Sequence, residues 1–159
     1  MLYSDKETEN PEKRFREIKC IWENRNVIIV EGELSRLGVN NDLFDSAKSI
    51  KRILGPAEHA FDKYEELLTT AERVGNSVDE ALFLISLGPT ATVLSFDLFS
   101  KGFQAIDIGH IDNDYEFFLR GAKERIAIPG KYVNNVTRKE EIVEENNLKY
   151  IESIICKIV

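Results

Sequence analysis

Two apolar runs decide the fold class of this chain: NVIIVEG at residues 26–32 and EALFLISLG at residues 80–88. The first is a continuous β-branched run with no polar alternation, which is typical of a strand buried on both faces of a parallel sheet. Each run ends at a glycine, where the chain is expected to turn away from the sheet. We therefore interpret both runs as interior strands.

The segments on either side of these runs alternate between helical and extended patterns. Such alternation predicts parallel strands joined by right-handed crossovers, hence an α/β fold: a Rossmann-like three-layer sandwich with a mainly parallel sheet and a C-terminal helix. Trp22 and the phenylalanines occur at helical spacing and are predicted to lie in the core. The predicted elements are a helix from Pro11, a strand at 26–31, a short helix at 43–50, a strand at 51–54, a helix at 57–74, a strand at 80–87, a helix at 91–101, a strand at 104–108, a short helix at 115–123 and a terminal helix from 137 to about 157.

Composition and charge exclude several classes of protein. The chain has 159 residues, 43% of them hydrophobic and 31% charged, which predicts a frayed segment at residues 1–10 and a single domain at residues 11–159. The net charge of −7 argues against a general binder of nucleic acid or of anionic membranes. The polar start, the lack of a long apolar run and only two cysteines, Cys20 and Cys156, predict a cytoplasmic protein with reduced thiols and no transmembrane segment.

Polar residues crowd the segment after the first strand, EGELSRLGVNND at residues 31–42. Open parallel sheets bind ligands at the carboxyl ends of their strands, and Arg36 is suited to form a bidentate contact with a phosphate there. The alternative is structural, with Arg36 paired to Glu31 or Glu33 and Asp42 capping the next helix. The other candidate donors to phosphate or sugar oxygens in this segment are Ser35, Asn40 and Asn41.

The strand at 80–87 ends in a turn of small residues, Gly88-Pro89-Thr90, that leads into a helix. The first backbone N–H groups of a helix have no partner within it, so this turn can hold an anion. The alternative is that Thr90 is the N-cap and the small residues allow close packing. The turn lacks the lysine of a Walker loop and the three-glycine spacing of a dinucleotide fingerprint.

One of the two histidines, His110, follows the next strand in the acidic segment DIGHIDNDYE at residues 107–116. A histidine near a carboxylate can act as a general base, or donate to a ligand phosphate when protonated. A metal site would need three or four converging ligands, which one segment does not establish. The alternative is a helix start capped by Asp112. The other histidine, His59, lies beside Glu58 and is expected to be structural or exposed.

Together these segments resemble the bacterial glycosyltransferases of the GT-D fold, a family first described as domain of unknown function 1792. The resemblance covers about residues 22–120. The matching segments are VEG at 30–32, SRLGV at 35–39, NDLFD at 41–45, SIKRI at 49–53, AF at 60–61, LGPTATVL at 87–94 and DIGHID at 107–112.

The resemblance implies a Rossmann-like domain that binds a nucleotide sugar such as UDP-glucose and transfers the hexose to a glycan or glycoprotein acceptor. It implies that His110 and Glu116 are the functional pair after the last strand, since an imidazole or a carboxylate can take the proton of the acceptor hydroxyl. The residues expected to bind the donor are Glu31, Gly32, Ser35, Arg36, Gly38, Asn41, Asp42, Gly88, Pro89, Thr90 and Asp107.

The resemblance also implies a divalent metal, Mn or Mg, that bridges the diphosphate. Family members carry an acidic Asp-x-Glu motif well before the Val-Glu-Gly strand, and no metal motif is assigned in the 25 residues that precede that strand here, where Asp5-Lys6-Glu7 has the Asp-x-Glu form. Glu31-Gly32-Glu33 has a similar form but matches a later family element, so the metal ligands stay unassigned. The chain is therefore expected to correspond to the C-terminal part of the family domain, without the segment that carries the metal motif, and to act with a partner chain or as a homo-oligomer.

Two other classes of protein stay open at this point. A non-catalytic Rossmann-like remnant, serving as a binding or partner module, would fold stably and transfer no sugar. A small phosphate-ester enzyme using His110 and Asp107 would show phosphatase activity without any nucleotide.

Overall fold

A five-stranded parallel sheet lies at the centre of the computed structural model, which describes residues 10–137 and 145–158. Every strand runs parallel to its neighbours, which confirms the predicted α/β class. The elements are α1 (Pro11–Lys19), β1 (Asn26–Gly32), β2 (Ser49–Gly55), a 3-10 helix (Ala60–Lys63), α2 (Tyr64–Gly75), β3 (Leu82–Ser86), α3 (Pro89–Ser100), β4 (Gln104–Asp107), α4 (Ile111–Leu119), α5 (Leu148–Ser153) and β5 (Ile154–Lys157).

The strand order β4-β3-β1-β2-β5 brings the two apolar runs side by side in the middle of the sheet. Val30 of β1 lies opposite Ile85 of β3 in the register, and both side chains are fully buried. From β1 the chain moves to β2 on one side, whereas β3 lies on the other side. The loops that follow β1 and β3 therefore diverge, which is where open α/β sheets form a crevice for ligands.

Two separate cores cover the two faces of the sheet. On one face α2 and α3 pack against β1, β2 and β3 through a cluster that includes Leu67, Ala71 and Leu94. On the other face α1, α4 and the loop between β1 and β2 pack around Trp22 and Leu43. The result is the three-layer sandwich that the alternating pattern predicts.

The predicted helix at 43–50 is wrong, because this segment forms turns followed by the start of β2. Leu43 and Phe44 are buried as a helix would require, but they pack under Trp22, whose indole Nε1 donates to the Leu43 carbonyl oxygen at 2.9 Å. Ile50 is already paired with Val27 in the sheet. Asp42 therefore caps no helix.

The predicted terminal helix is also wrong in its extent. Its residues 138–144 lie outside the described residues, and the helix observed here is the short α5. The chain then continues as β5, which pairs with Arg52, Ile53 and Leu54 of β2. An open edge of a parallel sheet pairs readily with an extended β-branched segment such as Ile154-Ile155, so tertiary pairing prevails over the helical pattern.

Smaller differences concern helix starts and aromatic residues. Within the predicted helix at 57–74, residues 60–63 form the 3-10 helix and α2 follows. α3 begins at Pro89 instead of residue 91, with Gly88 rather than Thr90 in the N-cap position, and His110 rather than Asp112 occupies the N-cap position of α4. Three phenylalanines predicted to be core are exposed instead: Phe61 on the 3-10 helix, and Phe96 and Phe99 on α3.

The N-terminal segment contributes a helix cap to this arrangement. The predicted frayed segment lies outside the described residues except for Asn10, whose side chain accepts from the Lys13 backbone and caps α1. The two thiols, Cys20 and Cys156, are free. Within residues 10–137 and 145–158, no helix combines the length and the apolar character needed to cross a membrane.

Candidate functional site

A cleft of about 520 Å³ opens at the carboxyl ends of β1, β2, β3 and β4. This volume and this place, at the divergence of the β1 and β3 loops, are typical of small-molecule sites in open parallel sheets. We call it the strand-end cleft. Its lining residues are Gly32, Ser35, Leu37, Pro56, Ala57, Glu58, His59, Ala60, Phe61, Ser86, Leu87, Gly88, Pro89, Thr90, Gly109, His110, Asp112, Asn113, Tyr132 and Asn134.

The N-terminus of α3 forms the part of the cleft that follows β3. Gly88 adopts φ +54° and ψ −141°, a conformation suited to glycine, and Pro89 follows as the first helical residue. No side chain caps this end, and no acidic residue lies in its first turn. The partial positive charge of the helix end is therefore not offset by its own first turn, and it faces the cleft.

The turn from β4 to α4 carries His110 into the cleft. The Asp107 carboxylate accepts from the Gly109 backbone N–H at 3.0 Å and from the Thr92 hydroxyl at 2.8 Å. The Ser86 hydroxyl donates to the Gly109 carbonyl oxygen at 2.8 Å. These bonds tie the turn to β3 and α3, so the backbone that carries the exposed imidazole is held on two sides.

A buried ionic network forms the wall beneath His110. Lys131 is 1% exposed, and its ammonium group lies 2.7 Å from Asp112 and 3.1 Å from Glu116. Asp112 also accepts from the Gly38 backbone N–H at 2.8 Å, and the Asn41 side chain donates to both carboxylates. The network therefore joins α4, the loop after β1 and the segment around Lys131 into one unit.

The Glu116 carboxylate is fully engaged in this network. Burial alone raises its pKa, but the hydrogen bond from Asn41 and the charge of Lys131 outweigh burial and hold the pKa below its usual value. Arg120 adds a further ion pair at 3.2 Å. A carboxylate with a lowered pKa and three donors is a weak proton acceptor, so this geometry favours a positioning role for Glu116.

A second buried pair lies below the cleft, between β1 and β2. Glu31 is fully buried, pairs with Arg52, and accepts from the Leu37 backbone N–H at 2.7 Å. Burial raises the pKa of the Glu31 carboxyl, and the neighbouring Arg52 opposes that effect. This pair holds the loop after β1 against the sheet. Neither partner reaches the lining of the cleft.

Arg36 turns away from the strand-end cleft. Its guanidinium donates to the Gly130 carbonyl oxygen at 2.8 Å and lies 3.5 Å from Glu145. Asp42 also faces elsewhere, because its carboxylate binds Lys19 at 2.7 Å and accepts from the Tyr115 hydroxyl at 2.6 Å. Among the described residues that line the cleft there is no Lys or Arg.

The structure thus divides the predicted site residues into two groups, and their roles stay predictions. Six of them line the strand-end cleft: Gly32, Ser35, Gly88, Pro89, Thr90 and His110. Seven lie outside its lining, where they hold the loops or pack against them: Glu31, Arg36, Gly38, Asn41, Asp42, Asp107 and Glu116.

Sequence reasoning missed the contribution of the loop after β2 and of the segment around Lys131. His59 and Phe61 line the cleft, and a signal existed, because Gly55-Pro56 marks the carboxyl end of β2 just as glycines mark β1 and β3. Tyr132 and Asn134 follow no predicted strand, so no comparable signal pointed to them.

The divalent metal implied by the resemblance lacks a ligand set here. In the part of the chain that the structure describes, no three His, Cys, Asp or Glu side chains come together as such a site requires. Asp112 and Glu116 lie next to each other, but their carboxylates already accept hydrogen bonds from Lys131 and Asn41. The described residues do not fit the metal, and its place stays a prediction.

Comparison with known proteins gives consistent matches. The family model described as glycosyltransferase GT-D fold matches residues 1–136. Glycosyltransferase GlyD of Streptococcus pneumoniae is 40% identical over 158 residues, which are 99% of this chain and 19% of GlyD. The chain thus spans about a fifth of this curated relative.

Two solved structures share the fold. One, described as the domain of unknown function 1792 with a distinct glycosyltransferase fold, is 41% identical with a TM-score of 0.87, over 94% of this chain and 53% of that one. The other, a glycosyltransferase of the same domain from Streptococcus sanguinis, is 35% identical with a TM-score of 0.89, over 97% of this chain and 56% of that one.

Proposed function

Because this chain belongs to the family of glycosyltransferases with the GT-D fold, we propose that its strand-end cleft binds a nucleotide-sugar donor for transfer of the sugar to a glycan or glycoprotein acceptor. A UDP-hexose such as UDP-glucose is the donor we propose. The bound diphosphate would lie at the N-terminus of α3.

The observation that carries this proposal is the positive end of α3 inside the cleft, which no side chain caps. A diphosphate needs hydrogen-bond donors, and the described residues of the lining include no Lys or Arg to supply them. The start of α3 offers the Thr90 backbone N–H instead, because Pro89 has no N–H and the Ala91 N–H donates to the Gly88 carbonyl oxygen at 3.1 Å. The helix dipole also favours an anion there. The Thr90 hydroxyl is a further donor in the same turn.

The proposed transfer uses His110 as the general base. The acceptor hydroxyl oxygen forms a bond to the anomeric carbon of the donor, and the bond from that carbon to the diphosphate breaks. His110 takes the hydroxyl proton, while the N-terminus of α3 stabilises the charge on the leaving diphosphate. A divalent metal, when bound to such enzymes, adds charge neutralisation at the diphosphate.

Hydrolysis of UDP-glucose to UDP, with water as the acceptor, tests the proposal in the presence of Mn²⁺. We expect His110→Ala and His110→Gln to lower the rate by about 10²–10⁴-fold, the usual contribution of a positioned acid or base. The dissociation constant for UDP should stay close to that of the unaltered chain in both variants. Equal rates with and without the imidazole would contradict the role of His110, and absence of UDP binding would contradict the donor site itself.

A second candidate is a binding module without catalysis. It is favoured by the engagement of Glu116 with Lys131 and by the lack of a metal ligand set among the described residues. This candidate predicts that UDP binds while no UDP-glucose is consumed, so the same two measurements separate it from the enzyme.

A further inference from the structure

One aromatic ring in the strand-end cleft is open to solvent. Phe61 lines the cleft on the 3-10 helix after β2, and 58% of its surface is exposed. A large apolar side chain in a cleft gains free energy when a ligand covers it. The ring is therefore a binding surface that the diphosphate site does not use.

The ring is held in place from below. Phe61 stacks on Tyr64 with ring centroids 5.1 Å apart and planes inclined by 26°. The Tyr64 hydroxyl donates to Asp97 of α3, and burial and the adjacent carboxylate raise the pKa of that hydroxyl, so it keeps its proton. One face of Phe61 thus lies on a fixed support, and the opposite face is open.

The loop that carries the ring is also constrained. His59 adopts a left-handed conformation with φ +54°, and its carbonyl oxygen accepts from the Asp62 backbone N–H at 2.9 Å. A left-handed non-glycine residue carries backbone strain, which the surrounding structure has to hold in place.

The strand order places Phe61 and His110 on opposite sides of the diphosphate site. The loops after β2 and β4 are separated by three strand spacings, about 14 Å, with the β1 and β3 loops between them. A nucleotide sugar has its sugar at one end of the diphosphate and its nucleoside at the other. Because the sugar has to reach His110, the nucleoside extends toward the loop after β2.

We infer that Phe61 is the stacking platform for the nucleobase of the donor, supported by Tyr64 and Asp97. This inference rests on the proposed donor site. The base stacks on the open ring face, while the diphosphate lies at the N-terminus of α3.

The test compares the binding of UDP, UDP-glucose and inorganic pyrophosphate by calorimetry. Loss of base stacking lowers affinity by about five-fold to 150-fold. Phe61→Ala should therefore weaken the binding of UDP and of UDP-glucose by this factor and leave the binding of pyrophosphate unchanged. Phe61→Trp keeps an aromatic ring at this position and should bind UDP with an affinity close to that of the unaltered chain. Phe96→Ala is the matched control, because Phe96 is 66% exposed on α3 outside the cleft lining, and it should bind all three as before.

Three results would overturn this inference and leave the proposed donor site standing. These are unchanged UDP binding by Phe61→Ala, equal losses of affinity for UDP and pyrophosphate, or a loss of affinity for UDP-glucose without a loss for UDP. The last result would mean that the ring stacks on the sugar. If the unaltered chain binds neither UDP nor pyrophosphate, the proposed donor site fails as well. Thermal unfolding of each variant separates loss of binding from loss of fold.

Discussion

At the scale of single residues, Lys131 connects the segments that surround the site. It is the buried cation between Asp112 and Glu116, and the loop after β1 depends on the same network through Gly38 and Asn41. Replacement of one partner in such a network leaves charges buried without compensation, which costs far more than the loss of an exposed ion pair.

We therefore predict that Lys131→Met lowers the free energy of unfolding by about 3–5 kcal/mol. The two carboxylates would remain buried without their shared cation. Urea denaturation at neutral pH measures the change. Lys149→Met is the control, because Lys149 pairs with Asp45 at the surface, and its loss should leave the free energy nearly unchanged. Equal stability of the two variants would show that the network contributes little.

Single residues also show where prediction from sequence succeeds. Gly88 and His110 could be found because a glycine ends a buried strand and polar residues follow it, which places them at one edge of the sheet. Arg36 and Lys131 could not be placed, because their partners Glu145 and Asp112 are distant in sequence. The direction of a long side chain depends on such tertiary partners.

At the scale of elements, the turn between β3 and α3 determines what the cleft can bind. Gly88 has a positive φ, and a Cβ atom at this position would meet no other atom within 4 Å. A side chain here would thus stand in open space beside the helix end. It would also strain the backbone by about 1–3 kcal/mol.

We predict that Gly88→Ala weakens UDP binding by at least about ten-fold, because the added methyl group would stand in the open space where the diphosphate approaches the helix end and would cost at least one hydrogen bond to the charged ligand. Gly102→Ala provides the control, since Gly102 has φ +93° and equally open surroundings at the far end of α3. Both variants should lose similar stability, and only the first should lose affinity. Equal affinities in a calorimetric titration would exclude the α3 end as the diphosphate site.

Elements differ in how well their sequence predicts them. β1 and β3 are buried on both faces, so their apolar runs are unambiguous. The segment at 43–50 and the strand β5 have apolar spacing that suits a helix equally well, and the choice is made by Trp22 and by the free edge of β2. Short segments with tertiary partners are the ones whose type the local pattern does not determine.

At the scale of the whole molecule, an acidic chain is proposed to hold an acidic ligand. The net charge is −7, and the described lining of the cleft contains no Lys or Arg. Attraction of the diphosphate therefore depends on the local field of α3 and on any cation that accompanies the donor. The site is set by the topology of the sheet rather than by the overall charge.

The most direct test of the strand-end cleft as the donor site is a titration of the ¹⁵N-labelled chain with UDP, followed by amide chemical shifts. A donor site in this cleft should give saturable shifts at Gly88, Thr90 and His110, while the Lys19–Asp42 pair, which lies outside the cleft lining, should stay unchanged. No shifts up to millimolar UDP, or shifts confined to the surface around Lys19 and Asp42, would contradict it.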